Sequence, residues 1–293
     1  MLLPVCRFVL AALLLSLNLM VLSSCAMFLC IWYPLGGRVS RWMHAGLDWL
    51  QMRHAGNAGW ILRHVSGVAF VVDFPETLQQ NGSYIVVANH RSHVDIAVLS
   101  AVLYKKAPVL KFFLKRSLAY VPFVGWFSAA MGYPFVDQVK SVKQGRAMKA
   151  VLEKQRERLA DQCEKLFAHP HCLVIFAEGT RFKASNQSKE GGLQHVLPPQ
   201  STGVGIALSR AGQDFFGVID VTLAYGDALT VSPWLLLSGQ CSRITACVRL
   251  HKQCCAYVGK DVIQDRALRK SLTKWLTALW AEKDAYLSRV IVG

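Results

Sequence analysis

Residues 8–35 carry no charged side chain, and this run constrains the chain more than any other stretch of similar length. A helix of that length rises roughly 40 Å, enough to cross a bilayer core with tilt. Arg7 precedes it, while Arg38, Arg41, Arg53 and Arg63 follow against a single acid, Asp48. That bias puts the rest of the chain on the cytoplasmic face of an inner membrane. Trp32, Tyr33 and Trp42 fall where an interfacial aromatic belt belongs. Leu22-Ser23-Ser24-Cys25 has the form of a lipoprotein cleavage box, so a signal peptide is the competing reading. The residues after Cys25 stay apolar through Leu35, where a lipoprotein tether turns polar. The expectation is therefore an uncleaved membrane anchor over residues 1–37, either spanning or re-entrant.

Residues 38–70 place Trp42, Leu47, Trp49, Leu50, Trp60, Ile61 and Leu62 among Arg and His. This suits an amphipathic helix or helix pair on the bilayer surface, and an ordinary core-packing helix has the same pattern. Residues 71–293 suffice for one α/β catalytic domain. The net charge of +15 asks for an acidic partner: nucleic acid, anionic membrane lipids or a phosphorylated substrate. Without a zinc-finger or RNP-type motif, nucleic acid is not expected. The nine cysteines are odd in number and contain no CxxC, which fits neither a disulfide framework nor a metal site. They read as reduced core thiols of a cytoplasmic domain, and no metal or cofactor is expected.

Within the domain, residues 83–88 form a short apolar run of β-formers, read as a buried strand. It ends in Asn89-His90-Arg91-Ser92-His93-Val94-Asp95, followed by the helical Ile96-Ala97-Val98-Leu99-Ser100. The turn can fold the Asp95 carboxylate onto the His90 imidazole, leaving the other ring nitrogen as a base. Taken alone, a His and an Asp five residues apart are weak evidence. Strands are expected over 133–137, 172–177, 218–224 and 243–250, with helices over 141–167, up to Arg210, and 261–289, while residues 109–113 follow Lys105-Lys106 without a strand or helix assignment. Trp275, Leu276, Leu279 and Trp280 recur at helical spacing and read as core packing. The strand over 172–177 ends in Glu178-Gly179-Thr180-Arg181. There the glycine permits a tight turn and the arginine fork suits a phosphate. Clefts of open α/β sheets lie outside strand carboxyl ends, so two polar turns at two such ends describe a phosphorylated-substrate cleft.

Together these turns resemble the lysophosphatidate acyltransferase (PlsC-like) superfamily over residues 80–230, with an order and spacing like its YihG-type branch. The NHxxxxD block matches residues 89–95, which implies His90 as the base and Asp95 as its orienter. The KxxLxxxPxxG block matches Lys115, Leu118, Pro122 and Gly125, and implies Lys115 on the acceptor phosphate. The EGTR block matches Glu178, Gly179, Thr180 and Arg181 unchanged, implying acceptor binding with Arg181 on the phosphate. His93 occupies a variable position of the block and reads as a surface or supporting group. Two departures concern the acceptor: Gln138 follows Asp137 where an arginine is usual, and the proline of the fourth block is missing near Tyr225 and Gly226. Lys140 or Lys143 could replace the missing cation, though both also read as solvent-facing.

The resemblance implies an α/β fold with a central mixed sheet flanked by helices, preceded by the anchoring helix. It also implies direct acyl transfer from acyl-CoA or acyl carrier protein to a lysophospholipid hydroxyl. No GxSxG elbow is present to supply an enzyme nucleophile. The rival classes are a thioesterase or lipid hydrolase, in which the same base activates water, and a basic membrane-binding or nucleic-acid-binding protein without chemistry.

Overall fold

The computed structural model describes residues 2–32, 37–74, 78–136, 146–182, 192–226, 228 and 231–292. The expected strand over 83–88 is β2 (Ser83–Ala88), buried at every position. Its side chains alternate between two cores: Tyr84, Val86 and Ala88 face one, Ile85 and Val87 the other. This is the period-two rule applied to a strand covered on both sides. Around it lies a six-stranded sheet ordered β1–β8–β7–β2–β6–β3. The other members are β1 (Ala69–Asp73), β3 (Leu110–Phe112), β6 (Cys172–Ile175), β7 (Phe215–Ala224) and β8 (Arg243–His251). Every pairing is parallel except β7 with β8. The carboxyl ends of β3, β6, β2 and β7 therefore share one edge of the sheet.

Helices α1 (Leu2–Cys30), α2 (Gly37–His64), α3 (Asp95–Leu103) and α7 (Pro233–Leu237) cover one face. The opposite face carries α5 (Arg146–Phe167), α6 (Ser201–Arg210) and α8 (Arg266–Val292). The aromatic stripe of α8 packs into this second core, with Leu276 and Trp280 fully buried. A short helix, α4 (Val124–Ala130), extends from the first layer along α1 and α2.

Some expectations change. The strand over 133–137 contracts to β5 (Phe135–Val136), which pairs with β4 (Leu114–Lys115) outside the main sheet. Pro134 contributes only its carbonyl, to Leu114 N–H. Asp137, Gln138, Lys140 and Lys143 lie outside the described residues. Strand β1, which straddles the boundary expected at residue 70 between the interfacial segment and the catalytic domain, is an edge strand beside β8. The cysteines are all free, but Cys6, Cys25 and Cys255 are exposed and only five of the nine are buried.

Helix α1 is the one described helix long and apolar enough to cross a membrane. It does not stand away from the domain. Ala11, Ser23 and Ala26 are buried, and the Phe8 ring packs tilted against Trp234 at 4.9 Å between centroids. Asn18 hydrogen-bonds His54 and Asn57 of α2. The other side of the helix, including Leu13, Leu17, Met20, Val21 and Phe28, is exposed and apolar.

Candidate active site

Asn89 extends the β2 ladder with its side chain. Its Nδ2 donates to Leu223 O at 2.9 Å and its Oδ1 accepts from Leu223 N–H at 2.8 Å. That pairing closes the gap to β7 one residue beyond the strand and sets the direction in which the chain turns. His90 follows, with its ring stacked on Phe176 at 4.0 Å between centroids and 18° between planes. Its backbone is clamped to the neighbouring turn after β6. His90 N–H donates to Glu178 Oε1 at 3.3 Å, and His90 O accepts from Phe182 N–H at 2.7 Å. The two turns singled out from the sequence are thus one structure at adjacent strand ends.

Asp95 opens α3, where a carboxylate faces the positive end of the helix dipole. The turn brings its Oδ2 to 2.9 Å from His90 Nδ1. The same oxygen accepts from the backbone N–H groups of Arg91 at 2.7 Å and Ser92 at 2.9 Å. Tyr225, just beyond the end of β7, donates its hydroxyl to Asp95 Oδ1 at 2.5 Å. Burial and the Asp95 charge push the Tyr225 phenol well above its ordinary range, so it stays a donor. An acceptor ringed by donors takes the hydrogen of Nδ1–H and fixes the tautomer, leaving Nε2 with its lone pair. Asp95 is fully buried, whereas the His90 side chain keeps 18% exposure. The carboxylate is sealed and the imidazole keeps an exposed side.

Below the dyad, Glu178 is buried, and burial raises its carboxyl to about 7. The N–H groups of Leu197 and His90 and the charge of Lys283 offset part of that cost. The Trp280 indole contributes as well, although it falls short of full hydrogen-bond geometry. Gly179 has φ +68°, which favours glycine, and a Cβ there would press on the Gln200 side-chain amide at about 3.0 Å. Arg91, which sequence reasoning passed over, is buried, donates to His195 O at 2.9 Å, and lies over the Phe182 ring. Lys283 of α8 forms an ion pair with Asp220 and donates to Val221 O at 2.7 Å, tying the last helix under β7.

Lys115 and Thr180 are exposed and Arg181 is half-buried. The His93 imidazole is pushed down, first by burial, then by the charges of Arg181, His90 and Lys115. Arg181, His90 and Lys115 thus all lie close enough for their charges to reach the His93 ring. From His93 an apolar cavity of about 270 Å³ runs between α2, α3 and α4, past Ile96, Ala97, Leu103 and Phe127, to Gln51 and Tyr133. Tyr225 and the cavity escaped sequence reasoning. The only signal for the tyrosine was a hydroxyl-bearing aromatic at a third strand's carboxyl end.

An acyltransferase family model matches residues 69–226. The chain is similar to the 1-acyl-sn-glycerol-3-phosphate acyltransferase of Saccharomyces cerevisiae, at 34% identity over 98 residues, 33% of this chain and 28% of that one. Lysocardiolipin acyltransferase 1 of Mus musculus is 25% identical over 270 residues, 86% of this chain and 65% of its own. The chain thus spans 28% and 65% of the length of these two curated relatives. The crystal structure of the 1-acyl-sn-glycerophosphate acyltransferase PlsC from Thermotoga maritima shares the fold. It matches with a TM-score of 0.58 at 15% identity, covering 97% of each chain.

Proposed function

Because the chain belongs to the acyltransferase family, we propose that it moves a fatty acyl group from a thioester to the free hydroxyl of a lysophospholipid, lysophosphatidate first among the acceptors. The observation that carries this reading is the dyad: a sealed carboxylate, with four donors among the described residues, against an imidazole that stays partly exposed. His90 Nε2 takes the proton of the acceptor hydroxyl as its oxygen attacks the thioester carbonyl. The tetrahedral intermediate collapses, the carbon–sulfur bond breaks, and the thiolate leaves with the proton that His90 had taken. Asp95 supports the transient imidazolium. Lys115 and Arg181, with the Glu178-Gly179-Thr180 turn, hold the acceptor phosphate so that its hydroxyl meets His90, and such alignment supplies much of a rate enhancement. The apolar cavity beyond His93 receives the acyl chain. Acyl-CoA or acyl carrier protein is the donor, with no further cofactor, and the YihG-type branch is part of the same proposal.

Helix α1 attaches the domain to anionic lipids of the inner membrane, with the site on the cytoplasmic side. Its docking along the domain favours a helix lying in one leaflet over one that crosses upright, since Ala11, Ser23 and Ala26 are buried along its length. The assay supplies purified protein with a labelled acyl thioester, with and without lysophosphatidate. A two-chain product that depends on the acceptor supports the proposal. Free fatty acid as the sole product would indicate a thioesterase, and an untouched thioester a binding protein. His90→Ala should lose at least about a hundredfold in rate, the scale of a positioned general base. A variant with wild-type turnover would refute the mechanism.

A further inference from the structure

Immediately after Lys115 the chain makes a 3-10 turn, Arg116–Tyr120, and passes through Val121, Pro122 and Phe123 into α4. The tip of this segment is apolar and faces solvent: Tyr120 is 81% exposed, Trp126 46%, and Val121 and Pro122 are exposed as well. It is also held rigidly. Phe123 lies at φ +61°, ψ −47°, a conformation costly for a residue with a side chain and kept only where the surroundings enforce it. A Cβ on Gly125 would collide with the Ala119 carbonyl, and Gly125 N–H closes the turn on Val121 O at 2.8 Å. Phe123 and Trp126 pack edge to face at 5.1 Å. Such bracing keeps the aromatic groups of the tip outside the core.

The segment is fastened to α1. Ser23 donates its hydroxyl to Phe123 O at 3.0 Å, and Phe127 and Met131 share a core cluster with Ala26 and Leu22. Met20 and Val21, on the outward apolar side of α1, are sequence neighbours of that contact and remain exposed. At the segment's base, Lys115 and Arg116 are exposed cations. Tyrosine, tryptophan, proline and valine at the tip with Lys and Arg behind them match the order of a bilayer surface, from acyl boundary to phosphate.

We propose that residues 120–126 form a second membrane contact, a wedge that enters the same leaflet as the outward side of α1 and delivers a leaflet-resident acceptor to Lys115. The occupant is an anionic phospholipid leaflet. The delivery role rests on the acyltransferase reading, whereas insertion of the tip does not.

Two measurements on the full chain separate these statements. Tyr120→Cys and Trp126→Cys are made with Cys6, Cys25, Cys30 and Cys255 replaced by serine, labelled with bimane, and reconstituted in phosphatidylglycerol–phosphatidylethanolamine vesicles. Nitroxide-bearing lipids should quench both labels and aqueous iodide should not, with Lys260→Cys beside α6 behaving in the opposite way. Iodide quenching equal to that at Lys260 overturns insertion, and protection from both quenchers assigns the tip to a protein surface instead. The Tyr120→Asp/Trp126→Asp double variant is then assayed with two acceptors. Transfer to vesicle-embedded lysophosphatidate should fall about tenfold or more, the scale on which interfacial apolar area sets binding. Transfer to a short-chain acceptor dissolved in water should be retained. Equal loss on both overturns the delivery role. If the wild type transfers to neither acceptor, the acyltransferase reading fails, and insertion is still decided by the quenching.

Discussion

Replacing Glu178 by glutamine tests whether the carboxyl beneath the dyad is kept neutral by burial. In the unfolded chain this group ionises near its ordinary 4.5, and in the native chain near 7. Between those values the unfolded chain binds fewer protons than the native one, so stability falls as pH rises through that window and is level on either side. A separation of this size, at about 1.4 kcal/mol per unit, amounts to about 3 kcal/mol. Glutamine cannot ionise and keeps the shape, including an oxygen for His90 N–H. The unfolding free energy of the variant relative to the wild type should therefore climb by about 3 kcal/mol between pH 4.5 and pH 7, then flatten. At roughly 2–4 °C per kcal/mol for a chain somewhat smaller than this one, the relative Tm should move by roughly 6–12 °C. The measurement is thermal unfolding of both proteins in the same detergent, stepped from pH 4.5 to 8, read as the difference between them so that other titrating groups cancel. A difference constant with pH would refute the neutral carboxyl. A relative stability that moves in the opposite direction would show that Glu178 is ionised in the native state and held by Lys283 and Arg91.

Two further substitutions address the site itself. Tyr225→Phe removes the one donor on Asp95 Oδ1 among the described residues, and a hydrogen bond to a charged group is worth about 1.5–3 kcal/mol. Steady-state kinetics should show kcat lower by about tenfold or more with KM for both substrates little changed; an unchanged kcat would mean that the backbone donors on Oδ2 suffice. Arg181→Lys keeps the charge and loses the planar fork, so kcat/KM for the acceptor should fall about ten- to a hundredfold while thioester affinity holds. Loss confined to the thioester would assign Arg181 to the donor side.

The parts of this molecule legible in its sequence are those specified by neighbours along the chain. β2 and β6 announce themselves as unbroken apolar runs because both of their faces are buried, and each ends in a polar turn that only a strand end can present. His90 and Asp95 meet because five residues of turn bring them together, and Gly179 marks its own positive φ. β1 gave no such signal. At the sheet edge its side chains are at most half-buried, and its parallel partner β8 lies more than 170 residues away. β5 was over-read for a related reason: an apolar run around a proline suggests a strand, yet Pro134 cannot donate to a ladder.

What escaped sequence reasoning depends on contacts between distant residues. Tyr225 completes the Asp95 shell from 130 residues away, and its position looked like a departure in a binding block, because only the parallel pairing of β7 with β2 brings the two strand ends together. The N-terminal helix shows the same limit more sharply. Composition measures whether a helix can enter a bilayer, and α1 passes that test on every side. Which side faces the domain is set instead by size. Alanine and serine at positions 11, 23 and 26 let the domain close on one side of the helix, leaving leucine, methionine, valine and phenylalanine on the other. A helix fastened along its length to a folded domain cannot turn upright without pulling these contacts apart. On the membrane reading proposed above, its apolar side and the aromatic tip beside Phe123 would therefore meet the bilayer together.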